Sequence, residues 1–384
     1  MTLIAETAAL AEFCHRQRQA SFIAIDTEFM RDKTYWPQLC LVQIAGPEEA
    51  AAIDSLAPEI DLAPLFELMA DTNVTKVFHA ARQDVEIFFH LTGKIPVPLV
   101  DTQVAAMVCG FGDSVSYETL AGKLANARID KSSRFTDWAQ RPLTDRQLQY
   151  ALSDVTHLRP AWEHLERRLA KTGRGDWVAE EMAVLTSPKT YQMEPAESWR
   201  RIKFRNDKPR AIAILREIAA WREEEAQKRD LPRGRIVKDE TLCEIAAHAP
   251  RSVDDLARCR GFSRGQAESR QGQAILAAVK RGLDLPSSEL PAIPPRRDLP
   301  AGLGPVIELL RVLLKMRCED HEVAQKLVAS ADDLELIAAD DGADVPALSG
   351  WRREVFGADA LALKHGRLAL TTVGRRVKVV PLPG

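Results

Sequence analysis

Four carboxylates and one phenol stand within the first 160 residues at spacings that chemistry can use. Asp26 and Glu28 are two apart at the acidic end of Phe22-Ile23-Ala24-Ile25-Asp26-Thr27-Glu28-Phe29, a largely apolar run that reads as a strand. Residues i and i+2 of a strand project from one face, about 6.6 Å apart. Two carboxylates sharing a face beside buried surface need compensation, and a divalent cation is the natural source. A D-x-E pair by itself is an ordinary polar strand end. Asp84 lies in Phe78-His79-Ala80-Ala81-Arg82-Gln83-Asp84, where a strand gives way to a helix. A carboxylate there equally complements the positive end of the helix. Tyr150 and Asp154 are four apart on a predicted helix, so they share a face about 6 Å apart along its axis. His157 continues that face.

The elements that must position these groups alternate in type. After the strand at 22–29, Leu39-Cys40-Leu41-Val42-Gln43-Ile44-Ala45 and Ala50-Ala51-Ala52-Ile53-Asp54 suggest an antiparallel meander. A helix near 62–70, a strand at 75–79, a helix at 82–91 and a strand ending at Val100-Asp101 follow, which predicts an α/β domain with a mixed sheet. Thr144 and Gln147 read as a capping box opening the helix that carries Tyr150 and Asp154. Leu148, Ala151, Leu152, Val155 and Leu158 form its apolar stripe, and the helix is expected to continue past Pro160 to about 170.

Beyond a junction at 187–209 only helical patterns remain: 210–229, 239–248, 252–259 and 265–282. A proline-rich linker at 285–299 precedes a second helical block, expected from about 303 to 374. The expected organisation is therefore a catalytic domain at 1–186, a basic junction at 187–209, helical domains at 210–284 and 300–384, and the linker between them.

The overall charge of −3 conceals an uneven distribution. Residues 1–160 hold 14 basic and 21 acidic side chains, whereas 161–290 hold 25 and 21. Arg200, Arg201, Lys203, Arg205, Lys208 and Arg210 make the densest basic stretch, which suits phosphate binding beside an acidic, metal-binding part. No apolar run is long enough to span a membrane, and no signal-peptide pattern opens the sequence. Six scattered cysteines without a C-x-x-C pair point away from zinc and disulfides and towards a cytoplasmic protein.

Taken together, two strand acids, an acid at a helix start and a Tyr-x-x-x-Asp on a late helix resemble the DEDDy class of 3′→5′ exonucleases, which have a ribonuclease H-like fold. The letters match Asp26, Glu28, Asp84, Asp154 and Tyr150. The likeness is closer to the ribonuclease D family. Asp26-Thr27-Glu28-Phe29, His79 through Asp84, Asp101-Thr102-Gln103, Ser116-Tyr117-Glu118, Lys131-Ser132 and Asp137-Trp138 through Arg141-Pro142-Leu143 carry it. Arg229-Asp230-Leu231-Pro232 and Ile236 through Leu242 are similar to the HRDC helical module. The last block resembles a second such module by position and by Trp351-Arg352.

The resemblance implies hydrolysis by two divalent ions, Mg²⁺ or Mn²⁺, releasing nucleoside 5′-monophosphates. Asp26 would be shared between the ions, Glu28 and Asp154 would complete one, Asp84 would hold the other, and Tyr150 would orient the attacking water. It implies RNA with a free 3′ end as substrate, notably tRNA precursors; the basic stretch, read from its charge, offers Arg200, Arg201, Lys203 and Arg205 as backbone contacts. The bundles would bind RNA or protein partners. A proofreading-type 3′→5′ DNA exonuclease uses the same acids, since selectivity rests on 2′-hydroxyl contacts invisible in the sequence. A non-catalytic RNA-binding protein is the other alternative, and four retained acids count against it.

Overall fold

The computed structural model describes residues 2–130, 136–291 and 300–383; Lys131, Ser132 and the linker residues 292–299 lie outside them. Two compact units form, each assembled from separated stretches of chain. The first takes Met1–Glu28, Leu41–Ser187 and Arg297–Gly384, and the second takes Phe29–Cys40 and Pro188–Arg296.

The sheet strands are β1 (Thr2–Ile4), β2 (Phe22–Met30), β3 (Gln38–Ala45), β4 (Ala50–Ile53), β5 (Thr75–Phe78) and β6 (Leu99–Asp101). They lie in the order β1-β4-β3-β2-β5-β6. β3 and β4 are antiparallel, while β1 with β4, β2 with β5 and β5 with β6 are parallel, so the sheet is mixed. Ile23, Ala24 and Ile25 on β2 and Leu41, Val42 and Ile44 on β3 are fully buried. Such continuous apolar runs belong to strands covered on both faces. The covering helices are α1 (Thr7–Gln17), α2 (Ala63–Ala70), α3 (Arg82–Thr92), α4 (Thr102–Val108), α5 (Tyr117–Leu124), α6 (Asp145–Thr156), α7 (Leu158–Thr172) and α8 (Gly175–Leu185). The single helix expected across Pro160 is thus two, α6 and α7, meeting at His157. Pro160 falls in the first turn of α7, where its missing N–H leaves no intrahelical bond unmade.

The second unit is helical: α9 (Pro209–Arg229), α10 (Arg233–Ile236), α11 (Asp239–His248), α12 (Val253–Arg258), α13 (Arg264–Glu268) and α14 (Arg270–Asp284). Its core gathers Ile214, Ile218, Leu242, Ile245, Leu256 and Ile275, and also Tyr35 from the segment that follows β2. Tyr35 donates its hydroxyl to buried Glu223, which also takes two bonds from Arg233 at 2.5 and 2.6 Å. Asp230 accepts the amides of Tyr35 and Trp36 at 3.0 and 2.9 Å.

The chain then re-enters the first unit through α15 (Gly304–Asp320), α16 (Gln325–Val328), α17 (Ala331–Ala339) and α18 (Gly350–Arg352). A π turn at Arg353–Gly357 leads on to α19 (Ala358–Lys364). Trp351 stacks on Trp177 of α8 with centroids 4.1 Å apart and planes 11° from parallel. Its neighbour Arg352, nearly buried, donates to Glu180 and Glu181 on the same helix. The helical pattern expected to 374 stops at Lys364, and β7 (Leu368–Val373) and β8 (Arg376–Pro381) form an antiparallel hairpin instead. The β-branched run Thr371-Thr372-Val373 favours strand, and Gly374, at φ 61°, opens a two-residue turn of the kind that needs glycine first.

Candidate active site

β2 lies inside the sheet, and its acidic end delivers Asp26 and Glu28 side by side. α6 delivers Asp154 against them, started by the Thr144–Gln147 capping box. One carboxylate oxygen from each of Asp26, Glu28 and Asp154 lies within 4.8 Å of the other two. Asp84 stands outside this triplet, in the first turn of α3 and 6% exposed. Its Oδ1 accepts the hydroxyl of Thr27 at 2.5 Å, so the residue between Asp26 and Glu28 holds the fourth acid. Sequence reasoning left Thr27 without a role, because one threonine between two acids carries no signal of a bond to a residue 57 positions away.

Electrostatics set these acids apart from ordinary surface carboxyls. Burial, then the charges of Asp84, Asp154 and Glu28, push Asp26 well above the usual carboxylate range. Burial with Asp154 and Asp84 lifts Glu28 to about 9. Burial also raises Asp84 to about 7 against the opposing bond from Thr27, and Asp154 to about 7 against a bond from Tyr150. Acids so placed ionise together only when positive charge joins them. Their donor set is all oxygen, which suits Mg²⁺ or Mn²⁺ rather than zinc.

The phenol of Tyr150 donates to Asp154. Behind it lies the ring of Trp138, stacked 6.2 Å away and itself 2% exposed. Arg141 fastens that loop: it bonds Asp54 at the end of β4 through two nitrogens at 2.8 and 2.6 Å and donates to the Trp138 carbonyl at 2.7 Å. The Asp137-to-Pro142 motif therefore backs the phenol. Tyr117 supports the other side by donating to the Ser153 carbonyl at 2.8 Å, one residue before Asp154. Its own ionisation is suppressed by burial and by the nearby acids.

Asp101-Thr102-Gln103 holds the turn between β5 and α3. Asp101 Oδ1 accepts the amides of Ala80 and Gln103 at 2.9 and 2.8 Å, and Oδ2 accepts that of Ala81 at 2.9 Å. Ala80 sits at φ 59°, a left-handed conformation that costs a non-glycine residue about 1–2 kcal/mol. Thr102 donates to the Phe78 carbonyl at 3.0 Å and lies 2.9 Å from His79 Nδ1. Asp26, His79, Gln103, Tyr117, Tyr150 and Asp154 line a cavity of about 320 Å³. That volume is within the range of small-ligand pockets, ~300–1,000 Å³.

The basic stretch at 200–210 lies in the second unit. Arg200 pairs with Glu197 and covers the Trp199 ring at 4.8 Å. Arg210 turns inward to the carbonyls of Gly282 and Leu283 at 3.2 and 3.1 Å, capping α14. Arg201, Lys203 and Arg205 are exposed.

The chain is similar to known proteins over nearly its whole length. A family model for 3′-5′ exonucleases matches residues 1–170, and one for the HRDC domain matches residues 211–279. The chain is 54% identical over 380 residues to ribonuclease D of Nitrobacter hamburgensis, covering 99% of both chains. It is 52% identical over 380 residues to ribonuclease D of Granulibacter bethesdensis, covering 99% of this chain and 96% of that one. Among solved structures it is similar to Escherichia coli RNase D, an exoribonuclease involved in structured RNA processing. That likeness has a TM-score of 0.79 at 31% identity and covers 95% of this chain and 98% of that one.

Proposed function

The chain belongs to the ribonuclease D family of 3′→5′ exoribonucleases, and we propose that it removes nucleotides from the 3′ ends of tRNA precursors at the Asp26–Glu28–Asp154 cluster. The observation that carries this reading is the approach of carboxylate oxygens from three half-buried acids to within 4.8 Å of one another, with Asp84 held nearby by Thr27. Two divalent ions are the proposed complement, which Asp26, Glu28, Asp154 and Asp84 would hold. Bound there, such ions supply positive charge against the phosphate and acidify an attacking water.

The protein's own groups do the rest. Tyr150, tethered to Asp154 and backed by Trp138, presents its hydroxyl to the water and orients it. His79, Gln103 and Tyr117 wall the cavity that receives the terminal nucleotide. Arg201, Lys203 and Arg205 are proposed contacts to the RNA backbone, joined by Arg200. Among the described residues no helix is long and apolar enough to cross a membrane, and we place the enzyme in the cytoplasm. The deciding experiment is a nuclease assay on matched 3′-tailed RNA and DNA, with Mg²⁺, Mn²⁺ and EDTA arms. Metal-dependent release of 5′-monophosphates from RNA supports the reading, and equal or faster cutting of DNA overturns the RNA assignment.

A further inference from the structure

The last 20 residues carry four arginines and lysines (Arg367, Arg375, Arg376 and Lys378) and no acid, so the remainder of the chain has a net charge of −7. All four cations are exposed, and none forms an ion pair among the described residues. Some exposed arginines elsewhere are ion-paired, as Arg16 is with Glu49, Arg264 with Glu268 and Arg311 with Glu308.

The hairpin organises these charges. Its register sets Leu370 against Val379 and Thr372 against Val377, and Leu370, Val377 and Val379 pack on the C-terminal core. The alternate positions face away: Thr371 opposite Lys378 and Val373 opposite Arg376, with Arg375 at the turn. Arg376 and Lys378, two apart, project from that same face about 6.6 Å from each other. The ribbon is thus anchored by one face and offers cations and a threonine hydroxyl on the other, the donor types that bind phosphate oxygens. It also belongs to the unit that holds the carboxylate cluster, whereas the 200–210 stretch belongs to the other.

We propose that the outer face of the β7–β8 hairpin is a second RNA-binding surface, gripping the sugar–phosphate backbone of the substrate's folded body. The inference rests on RNA being the substrate and adds a contact apart from the basic 200–210 stretch. Each phosphate contact steepens the dependence of affinity on salt by about 0.7–0.9 in log–log slope. The test is the full-length triple variant R375E/R376E/K378E, measured by anisotropy with a 3′-tailed tRNA transcript in EDTA across a salt series. The expected result is a slope shallower by about 2–3 and at least tenfold weaker binding, with unchanged turnover of a single-stranded tetranucleotide in Mg²⁺. Tetranucleotide turnover reports on the enzyme assignment, so loss of the one reading is distinguishable from loss of the other. The neutral variant R375Q/R376Q/K378Q should give an intermediate slope, and it decides the matter if the reversal variant fails to fold. A wild-type slope in the folded variants overturns the proposal. So does unchanged RNA affinity accompanied by lost sedimentation with phosphatidylglycerol vesicles, which would make the face a membrane contact.

Discussion

Asp101 holds Ala80 in its left-handed conformation: the carboxylate accepts the Ala80 amide at 2.9 Å while its second oxygen takes the Ala81 amide. Two residues later α3 begins, and its first turn carries Asp84. Asp101→Asn turns a donor towards one of these amides and frees the turn. Because a displacement of about 1 Å can cost on the order of 10²-fold in rate, turnover should fall 10- to 100-fold on this order-of-magnitude scale. The Mn²⁺ concentration for half-maximal rate should rise as well. Ala80→Gly relieves the strain and should restore part of the loss in the double variant. Wild-type turnover with wild-type metal dependence in Asp101→Asn would remove Asp101 from this role.

Metal dependence should appear in stability as well as in rate. Unfolded carboxyls titrate near 4, whereas Glu28 is lifted to about 9 and Asp84 and Asp154 to about 7 by burial and neighbouring charge. Between those limits the folded state holds the extra protons, so metal-free stability falls as pH rises. Added Mn²⁺ should therefore raise the melting temperature more at about pH 8 than at about pH 5. Asp26→Asn should shrink that difference and abolish most activity. A metal-induced shift independent of pH would count against a carboxylate site.

Tyr150→Phe removes the hydroxyl but keeps the ring against Trp138. Turnover should drop by about 10²–10⁴-fold, the usual worth of a positioned acid–base or orienting group. Calorimetric titration with Mn²⁺ should stay close to wild type; a weakened isotherm would move Tyr150 into the metal shell.

Trp351→Ala should destabilise the first unit by about 3–5 kcal/mol, as large-to-small changes of buried aromatics do. Trp351 is 7% exposed and stacked on Trp177. The same surface is stripped from any fragment ending at 186, which also leaves Glu180 and Glu181 without Arg352. Such a fragment is expected to aggregate, as gel filtration would show. A monodisperse, active fragment would establish that α8 needs no cover.

Local signals in the sequence disclosed the strand with Asp26 and Glu28, the capped helix with Tyr150 and Asp154, and the change to helices after 209. Each of these is written in residues a few positions apart. Contacts across long separations left no periodic trace. The bond from Thr27 to Asp84, the clasp of Arg141 on Asp54 and the burial of Tyr35 against Glu223 span 57, 87 and 188 positions. Phe29–Cys40, which runs from the end of β2 into the start of β3, groups with the second unit, and no local pattern in the sequence announces it. The three-residue β1 is too short for alternation to register.

The first unit is closed by the last quarter of the chain, and this gives synthesis an order. A ribosome delivers Asp26, Glu28, Asp84 and Asp154 early, yet the side chains that cover α8, Trp351 and Arg352, emerge more than 160 residues after Trp177 and the adjoining glutamates. Until then α8 lacks the cover that the Trp351 ring and the Arg352 guanidinium give it.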